Sequence, residues 1–169
     1  KIVDEIKKTE DEVQITFDDG YLGIYENMEY FIKYNIKIKI FISPSLFAKK
    51  HYMNINQIIE LSKYCNFIFG SHSMSHSRLD ILPDKKLDFE IKESKYIIEK
   101  SINKPVDSFC FPLGFFNDRV IEKCEEFGYN RLYSCIPGYN NKFLKSNIIG
   151  RSLVDDVSNF YFKSILFGA

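Results

Sequence analysis

Asp18 and Asp19 stand side by side, followed by Gly20, at the end of an apolar run made by Val13, Ile15 and Phe17. Adjacent carboxylates repel, and the pKa of one rises unless a cation lies between or beside them. A metal ion removes that penalty for one carboxylate and leaves the other free for proton transfer. Taken alone, the pair reads equally well as a polar turn after a strand, since Asp-Gly is a common turn dipeptide. His72 and His76 add a second constellation, within Ser71-His72-Ser73-Met74-Ser75-His76. On a helical turn their spacing puts both imidazoles on one side, where they can share a cation. The alternative is a polar loop whose serines and histidines cap the next element. Two histidines joined by one aspartate make a facial set with open positions. Such a set suits zinc or another divalent cation and leaves room for water.

These groups act together only if the chain brings them to one place. Val13, Ile15 and Phe17 predict a first strand over 13–17. Ile24, Met28, Phe31 and Ile32 recur at helical spacing and predict one amphipathic helix over about 23–34, closed by Asn35. Ile36, Ile38, Ile40 and Ile42 alternate with Lys37 and Lys39, which predicts a second strand halted by Ser43-Pro44. A loop with His51 follows, then a helix capped by Asn54 and carrying Ile55, Ile58, Ile59 and Leu61. Residues 67–70 read as a third strand. Pro83 and Asp84 open a long charged helix to about Lys100, and 106–111 form a fourth strand ending at Pro112-Leu113-Gly114. A helix over 117–127 is closed by Gly128. Strands over 131–135 and 148–153 and a final helix over 157–167 complete the chain.

Strands thus alternate with helices throughout, which predicts an α/β fold of βα units with parallel strands. In such folds the chemistry sits at the carboxyl ends of the strands. Asp18-Asp19, His72/His76 and Pro112-Gly114 each follow a predicted strand directly.

Three motifs, Thr16-Phe17-Asp18-Asp19-Gly20, His72-Ser73-Met74-Ser75-His76 and Phe109-Cys110-Phe111-Pro112-Leu113-Gly114, together resemble the polysaccharide deacetylase family (carbohydrate esterase family 4, the NodB-homology domain). Within it, the chain is similar to compact biofilm poly-N-acetylglucosamine deacetylases. The resemblance runs from Val13 to about Phe162. It implies a distorted (β/α) barrel of mostly parallel strands that removes acetyl groups from an N-acetylated oligo- or polysaccharide. Matched residue by residue, it implies Asp19, His72 and His76 as ligands of a divalent metal. Zinc comes first, with cobalt, nickel or iron(II) as alternatives. It implies Asp18 as the base acting on a metal-activated water.

Leu113 matches the position whose backbone N–H steadies the oxyanion, where the family often has Tyr. The backbone donor survives that swap, while the pocket wall changes. Two further departures stand out. Many members carry an Arg that pairs with the base two residues before the third motif's proline, and here that position is Cys110. Arg151, in Gly150-Arg151-Ser152-Leu153, resembles a late-strand Arg of compact members and is expected to take over part of that orienting role. The family's late His, a general acid, has no counterpart, because no histidine follows His76. Within the chain the remaining candidate is His51; a segment upstream of Lys1 and water are the alternatives. The runner-up reading is a catalytically weak or inactive carbohydrate-binding domain that retains the metal site.

The bulk composition narrows the other classes. A chain of 169 residues fits one domain, and starting at Lys1 rather than Met it is read as a candidate piece of a longer protein. At 45% hydrophobic and 16% aromatic it is globular rather than disordered. A formal net charge of zero argues against nucleic acid as a partner, since no basic excess is available for phosphates. Cys65, Cys110, Cys124 and Cys135 form no Cys-x-x-Cys pair, which argues against a thiolate zinc site. Read as free thiols they allow a cytoplasmic location; the family is often secreted or at the cell surface, and no signal peptide is visible. No apolar run approaches the roughly 18 residues of a membrane span. A phosphoryl-transfer reading of the Asp pair lacks a Gly-rich phosphate loop and a flanking Lys or Arg. Asp155-Asp156 read as caps of the last helix, and Cys110 as a buried structural thiol.

Overall fold

A computed structural model describes residues 14–137 and 147–154. Six strands form one sheet in sequence order: β1 (Ile15–Phe17), β2 (Ile38–Ile42), β3 (Phe67–Ser71), β4 (Ser108–Cys110), β5 (Arg131–Tyr133) and β6 (Ile148–Ile149). Every neighbouring pair is parallel. Five helices lie between them: α1 (Leu22–Glu26), α2 (Met28–Lys33), α3 (Ile55–Leu61), α4 (Asp84–Ile102) and α5 (Asp118–Glu126). The sheet curls into a half-barrel, as the βα alternation and the family resemblance lead one to expect.

The sequence explains most of these elements locally. Asn54 caps α3 in a capping box, its side chain accepting from the Gln57 N–H while the Gln57 side chain accepts from the Asn54 N–H. Asn117 caps α5 with its side chain alone, accepting from the Val120 N–H. Leu87, Ile91, Ile98 and Ile102 line the buried stripe of α4. With Ile58, Leu61, Val120, Ile121 and Cys124 they cover one face of the sheet, against Ile38, Ile40, Ile42, Phe67, Phe69, Phe109 and Leu132. Each such aliphatic side chain contributes about 1.5–3 kcal/mol when fully buried.

The other face lines the inside of the curl. There Phe41, Cys110 and Tyr133 form a second buried cluster with Ile149 packed against it. Lys39, opposite Thr16 and Ile68 in the ladder, points inward too and is buried. Its Nζ donates to Ser108 Oγ at 2.8 Å and to Tyr133 Oη at 3.1 Å. The alternation of Ile and Lys in β2 therefore marks two buried faces, one apolar and one lined with satisfied polar groups.

Several boundaries differ from those expected, among them strands four and five, which shorten from 106–111 and 131–135 to Ser108–Cys110 and Arg131–Tyr133. The single helix over 23–34 is two, α1 and α2, broken at Asn27, whose side-chain amide donates to the Gly23 carbonyl at 2.7 Å. That bond competes with the backbone ladder. Strand two starts at Ile38, and strand six is confined to Ile148–Ile149. The helix expected over 157–167 and the caps expected at Asp155-Asp156 lie outside the described residues. No described helix is long and apolar enough to cross a membrane.

Candidate active site

The carboxyl ends of β1, β3, β4 and β6 meet at one end of the curl. Asp18 and Asp19 follow β1 directly. Asp19 adopts a left-handed conformation (φ 67), which Asp tolerates better than most residues. Gly20 (φ 77) completes the turn, and its N–H donates to the Asp18 carbonyl. A Cβ at Gly20 would lie 2.9 Å from Ile42 Cγ2, so any other residue would also force the Ile42 side chain of β2 to shift.

His72 and His76 lie after β3 on an irregular loop, not on the helical turn that their spacing suggested. Ser73 (φ 62) and His76 (φ 59) are left-handed, and the rings pack edge to face with centroids 4.8 Å apart. His72 Nδ1 lies 2.8 Å from the Cys110 carbonyl, an acceptor only, so Nδ1 carries the proton. Burial is the largest influence on His72 and outweighs the nearby carboxylates, lowering its pKa and favouring the neutral ring. Neutral His72 then turns the lone pair of Nε2 toward Asp19 Oδ1, 3.6 Å away. His76 Nε2 lies 3.3 Å from the same oxygen.

Asp19 Oδ1 is buried and has no hydrogen-bond partner. A buried anionic oxygen facing the lone pair of a neutral imidazole nitrogen is unfavourable by itself. A cation between them converts the arrangement into a ligand set. Asp19, His72 and His76 offer three ligand atoms within 4.8 Å of one another. The donors are oxygen and imidazole nitrogen, the Cys110 carbonyl orients the first imidazole as an outer partner, and together they fit a divalent metal.

Asp18 is held differently. Arg151, just past β6, forms a two-pronged pair with it: Nη1 to Oδ1 at 2.7 Å and Nη2 to Oδ2 at 2.8 Å. The guanidinium is itself fixed by Nε donating to the Ser134 carbonyl at 3.1 Å and Nη1 donating to Thr16 Oγ1 at 3.0 Å. Nη2 also touches Cys110 Sγ at 2.9 Å, with Cys135 Sγ at 3.7 Å. Burial alone would raise the Asp18 pKa. The Arg151 hydrogen bonds and the Arg151 charge outweigh it and hold the carboxyl below its ordinary 3.8. Asp18 is thus an anion with one edge clamped and Oδ2 3.9 Å from His72 Nε2. Burial, then the Asp18 charge, push the Cys110 thiol well up, so it is neutral and no nucleophile.

The remaining candidates fall nearby or outside. Leu113 lies in the turn Pro112–Gly114 after β4 with a left-handed backbone (φ 58, ψ 5) and an exposed side chain. His51 is exposed in the loop after β2, and its carbonyl accepts the Leu22 N–H. Sequence reasoning missed Tyr21, on the rim directly after Gly20. Its ring stacks on Tyr52 at 4.9 Å, and its pKa is pushed up to about 12, first by the hydrogen bond with Tyr52, then by burial and the neighbouring Asp19. An aromatic two positions after a carboxylate carries no recognisable signal, because the contact depends on a partner in another loop.

A curled parallel sheet with an Asp/His/His group at its carboxyl end is the architecture of the NodB-type deacetylases, and the comparisons agree. A family model described as polysaccharide deacetylase matches residues 5–132, and the chain belongs to that family. That match includes Asp18, Asp19, His72, His76 and Leu113 and stops short of Arg151. The chain is 27% identical over 127 residues to a peptidoglycan-N-acetylglucosamine deacetylase of Bacillus cereus, covering 74% of this chain and 57% of that protein. It is also 27% identical over 133 residues to YxkH of Bacillus subtilis, covering 78% and 47%. The chain thus spans about half the length of these curated relatives. Among solved structures, the polysaccharide deacetylase BC0361 of Bacillus cereus superposes with a TM-score of 0.83 at 19% identity, covering 96% of this chain and 54% of that one. IcaB of Ammonifex degensii superposes at 0.77 and 19%, covering 91% and 70%. A carbohydrate esterase family 4 pseudoenzyme of Bacillus anthracis, BA3943, superposes at 0.59 and 19%, covering 73% and 43%.

Proposed function

We propose that this chain hydrolyses N-acetyl groups from an acetylated amino-sugar glycan, with a divalent metal held by Asp19, His72 and His76. The observation that carries the reading is the unequal treatment of two adjacent carboxylates. Asp19 Oδ1 is buried, unpartnered and faced by two imidazole nitrogens, while Asp18 is held ionised by Arg151. The metal, zinc first among the divalent ions these donors suit, supplies Lewis acidity toward a water and toward the amide carbonyl. Asp18 takes the proton of the attacking water, and Oδ2, on the His72 side, is the atom placed to receive it. Arg151 keeps the carboxylate ionised and fixes its plane. The Leu113 backbone N–H is the donor assigned to the developing oxyanion. The chain has three histidines: two are in the ligand set and the third is exposed. We assign the return of a proton to the departing nitrogen to the protonated Asp18 carboxyl, the group that holds the proton taken from the water.

The test is acetate release from chitooligosaccharides, poly-N-acetylglucosamine and peptidoglycan fragments, with and without added divalent metal. Metal-dependent release that Asp18→Asn abolishes is the expected result. A protein that binds no metal at a stoichiometric level refutes the reading. The absence of any histidine after His76 favours one second reading, a carbohydrate-binding domain that retains the metal site. It predicts metal and glycan binding with no acetate released from any of the three substrates.

A further inference from the structure

Both histidines of the ligand set ride on one short loop, and that loop is not stable by its own geometry. Its left-handed residues, Ser73 and His76, cost about 1–2 kcal/mol each, so contacts from elsewhere must hold the shape. Ser43 Oγ donates to the His72 carbonyl at 2.7 Å. The Ser45 N–H and Oγ both donate to the Met74 carbonyl, at 3.0 and 2.7 Å. Within the loop, the His76 N–H donates to Ser73 Oγ at 3.0 Å. On the opposite side three hydrogen bonds go to one residue, Glu90. The Glu90 carbonyl accepts the Met74 N–H at 3.0 Å, Glu90 Oε2 accepts the Ser75 N–H at 2.8 Å, and Glu90 Oε1 accepts the Ser75 hydroxyl.

Glu90 sits in the second turn of α4 and is buried, 7% exposed. Burying a carboxylate is costly unless it is paired or well hydrogen-bonded. Among the described residues Glu90 forms no salt bridge with a Lys or Arg, and its carboxylate bonds go to Ser75. Ser75 lies directly before His76. A buried side chain whose hydrogen bonds go to the residue next to a ligand fixes where the second imidazole stands relative to the first.

We infer that Glu90 is a positioning residue, one that pins the His72–His76 loop so that both imidazoles meet Asp19. The inference rests on the metal reading of that site. The experiment compares zinc(II) affinity, by competition with a chromophoric chelator, across wild type, Glu90→Gln, Glu90→Ala and Ser75→Ala. Amide hydrogen exchange at Ser75 and His76 is followed in the same metal-free proteins.

Glu90→Ala should weaken zinc about 10–100-fold, the usual cost of losing an outer partner, and speed exchange at both amides. Glu90→Gln should recover most of the affinity. Its carbonyl can accept the Ser75 N–H while its amide donates to Ser75 Oγ, whose own proton then turns to Ser77 Oγ, 2.7 Å away. Ser75→Ala should show a smaller loss, and it tests the contact from the loop side if Glu90→Ala does not fold. A folded Glu90→Ala with zinc affinity within twofold of wild type and unchanged exchange overturns the inference. So does Glu90→Gln failing as badly as Glu90→Ala. Wild type that does not bind zinc instead overturns the metal reading, and the exchange arm then decides on Glu90 alone.

Discussion

Replacing Arg151 with Met removes the clamp on Asp18 while keeping an unbranched side chain of similar length. In the native site Asp18 receives two charge-assisted bonds, at 2.7 and 2.8 Å, from a guanidinium whose side chain is 15% exposed. Bonds to charged groups contribute about 1.5–3 kcal/mol each. The unclamped carboxylate still reaches water, so one bond's worth is expected to be lost from the transition state. Turnover should then fall roughly 10–150-fold. The pH dependence gives a sharper test. With Arg151 present, Asp18 stays below 3.8 against the opposing effect of burial. Without it, burial remains and the pKa must move up.

The acid limb of the rate profile, which reports the proposed base, should therefore shift to higher pH in Arg151→Met. The sign for stability agrees. A depressed folded pKa contributes stability that is present above the unfolded pKa and lost as pH falls through the folded value. The variant should consequently be less stable than wild type at neutral pH and lose less of its stability on acidification, because the Asp18 pKa no longer lies so far below its unfolded value. Arg151→Lys should recover charge but not the two-pronged geometry, restoring much of the pKa and less of the turnover. Carboxyl-carbon NMR titration of Asp18 reads the shift without substrate, and acetate release reads the rate. An Asp18 titration unchanged between wild type and Arg151→Met would refute the electrostatic account, and unchanged turnover would remove the orienting role.

Further outcomes follow from the same contacts. Asp19→Asn should abolish zinc binding measured by calorimetry, while Asp18→Asn should keep it and lower turnover about 10²–10⁴-fold; the reverse pattern would exchange their roles. Gly70→Ala should destabilise by about 1–3 kcal/mol in urea unfolding, because its Cβ would lie 2.5 Å from Phe41 Cδ1 and 3.0 Å from the Ser108 carbonyl. Burial lowers the Lys39 pKa from 10.5, so the unfolded chain binds more protons in that window and stability should rise with pH toward 10.5. Lys39→Met should flatten that rise in thermal melts without large loss, since Ser108 Oγ keeps Asp107 and Tyr133 Oη keeps Gln14 as partners. In the native protein a maleimide should label Cys65 and Cys135 and spare the buried Cys110 and Cys124, as read by peptide mapping.

The elements that could be read from sequence are those stabilised by their own residues. The cap Asn54 and the opening of α4 at Pro83-Asp84 are local signals, and the structure places them where expected. The histidine loop is the opposite case. An i, i+4 spacing suggested a helical turn, yet the imidazoles converge because Ser43, Ser45 and Glu90, from two other elements, impose left-handed backbone at Ser73 and His76. No local window contains that information. Lys39 escaped for a related reason. Period-two alternation usually separates a buried face from a wet one, and a curled sheet buries both. Tyr21 and Glu90 act through partners remote in sequence, so their roles become visible only once the loops are placed.

Arg151 joins these two scales. β1 and β6 are the edges of the sheet, and among the described residues no backbone ladder connects them. Side chains bridge the gap instead. Arg151 reaches Thr16 and Asp18 at the carboxyl end, and Tyr133 Oη reaches Gln14 Oε1 at 2.7 Å deeper inside. The same guanidinium that orients the proposed base therefore also ties the end of β6 to the end of β1. An Arg on β4, at the Cys110 position, could orient Asp18 too, but it would add nothing across the open edge. Moving the cation to the last strand leaves room for a small thiol beneath the carboxylate and couples closure of the curl to the geometry of the base. Loosening β6 should then cost activity before it costs the fold, because the ladder from β1 to β5 survives a loss at the edge while Asp18 does not keep its clamp.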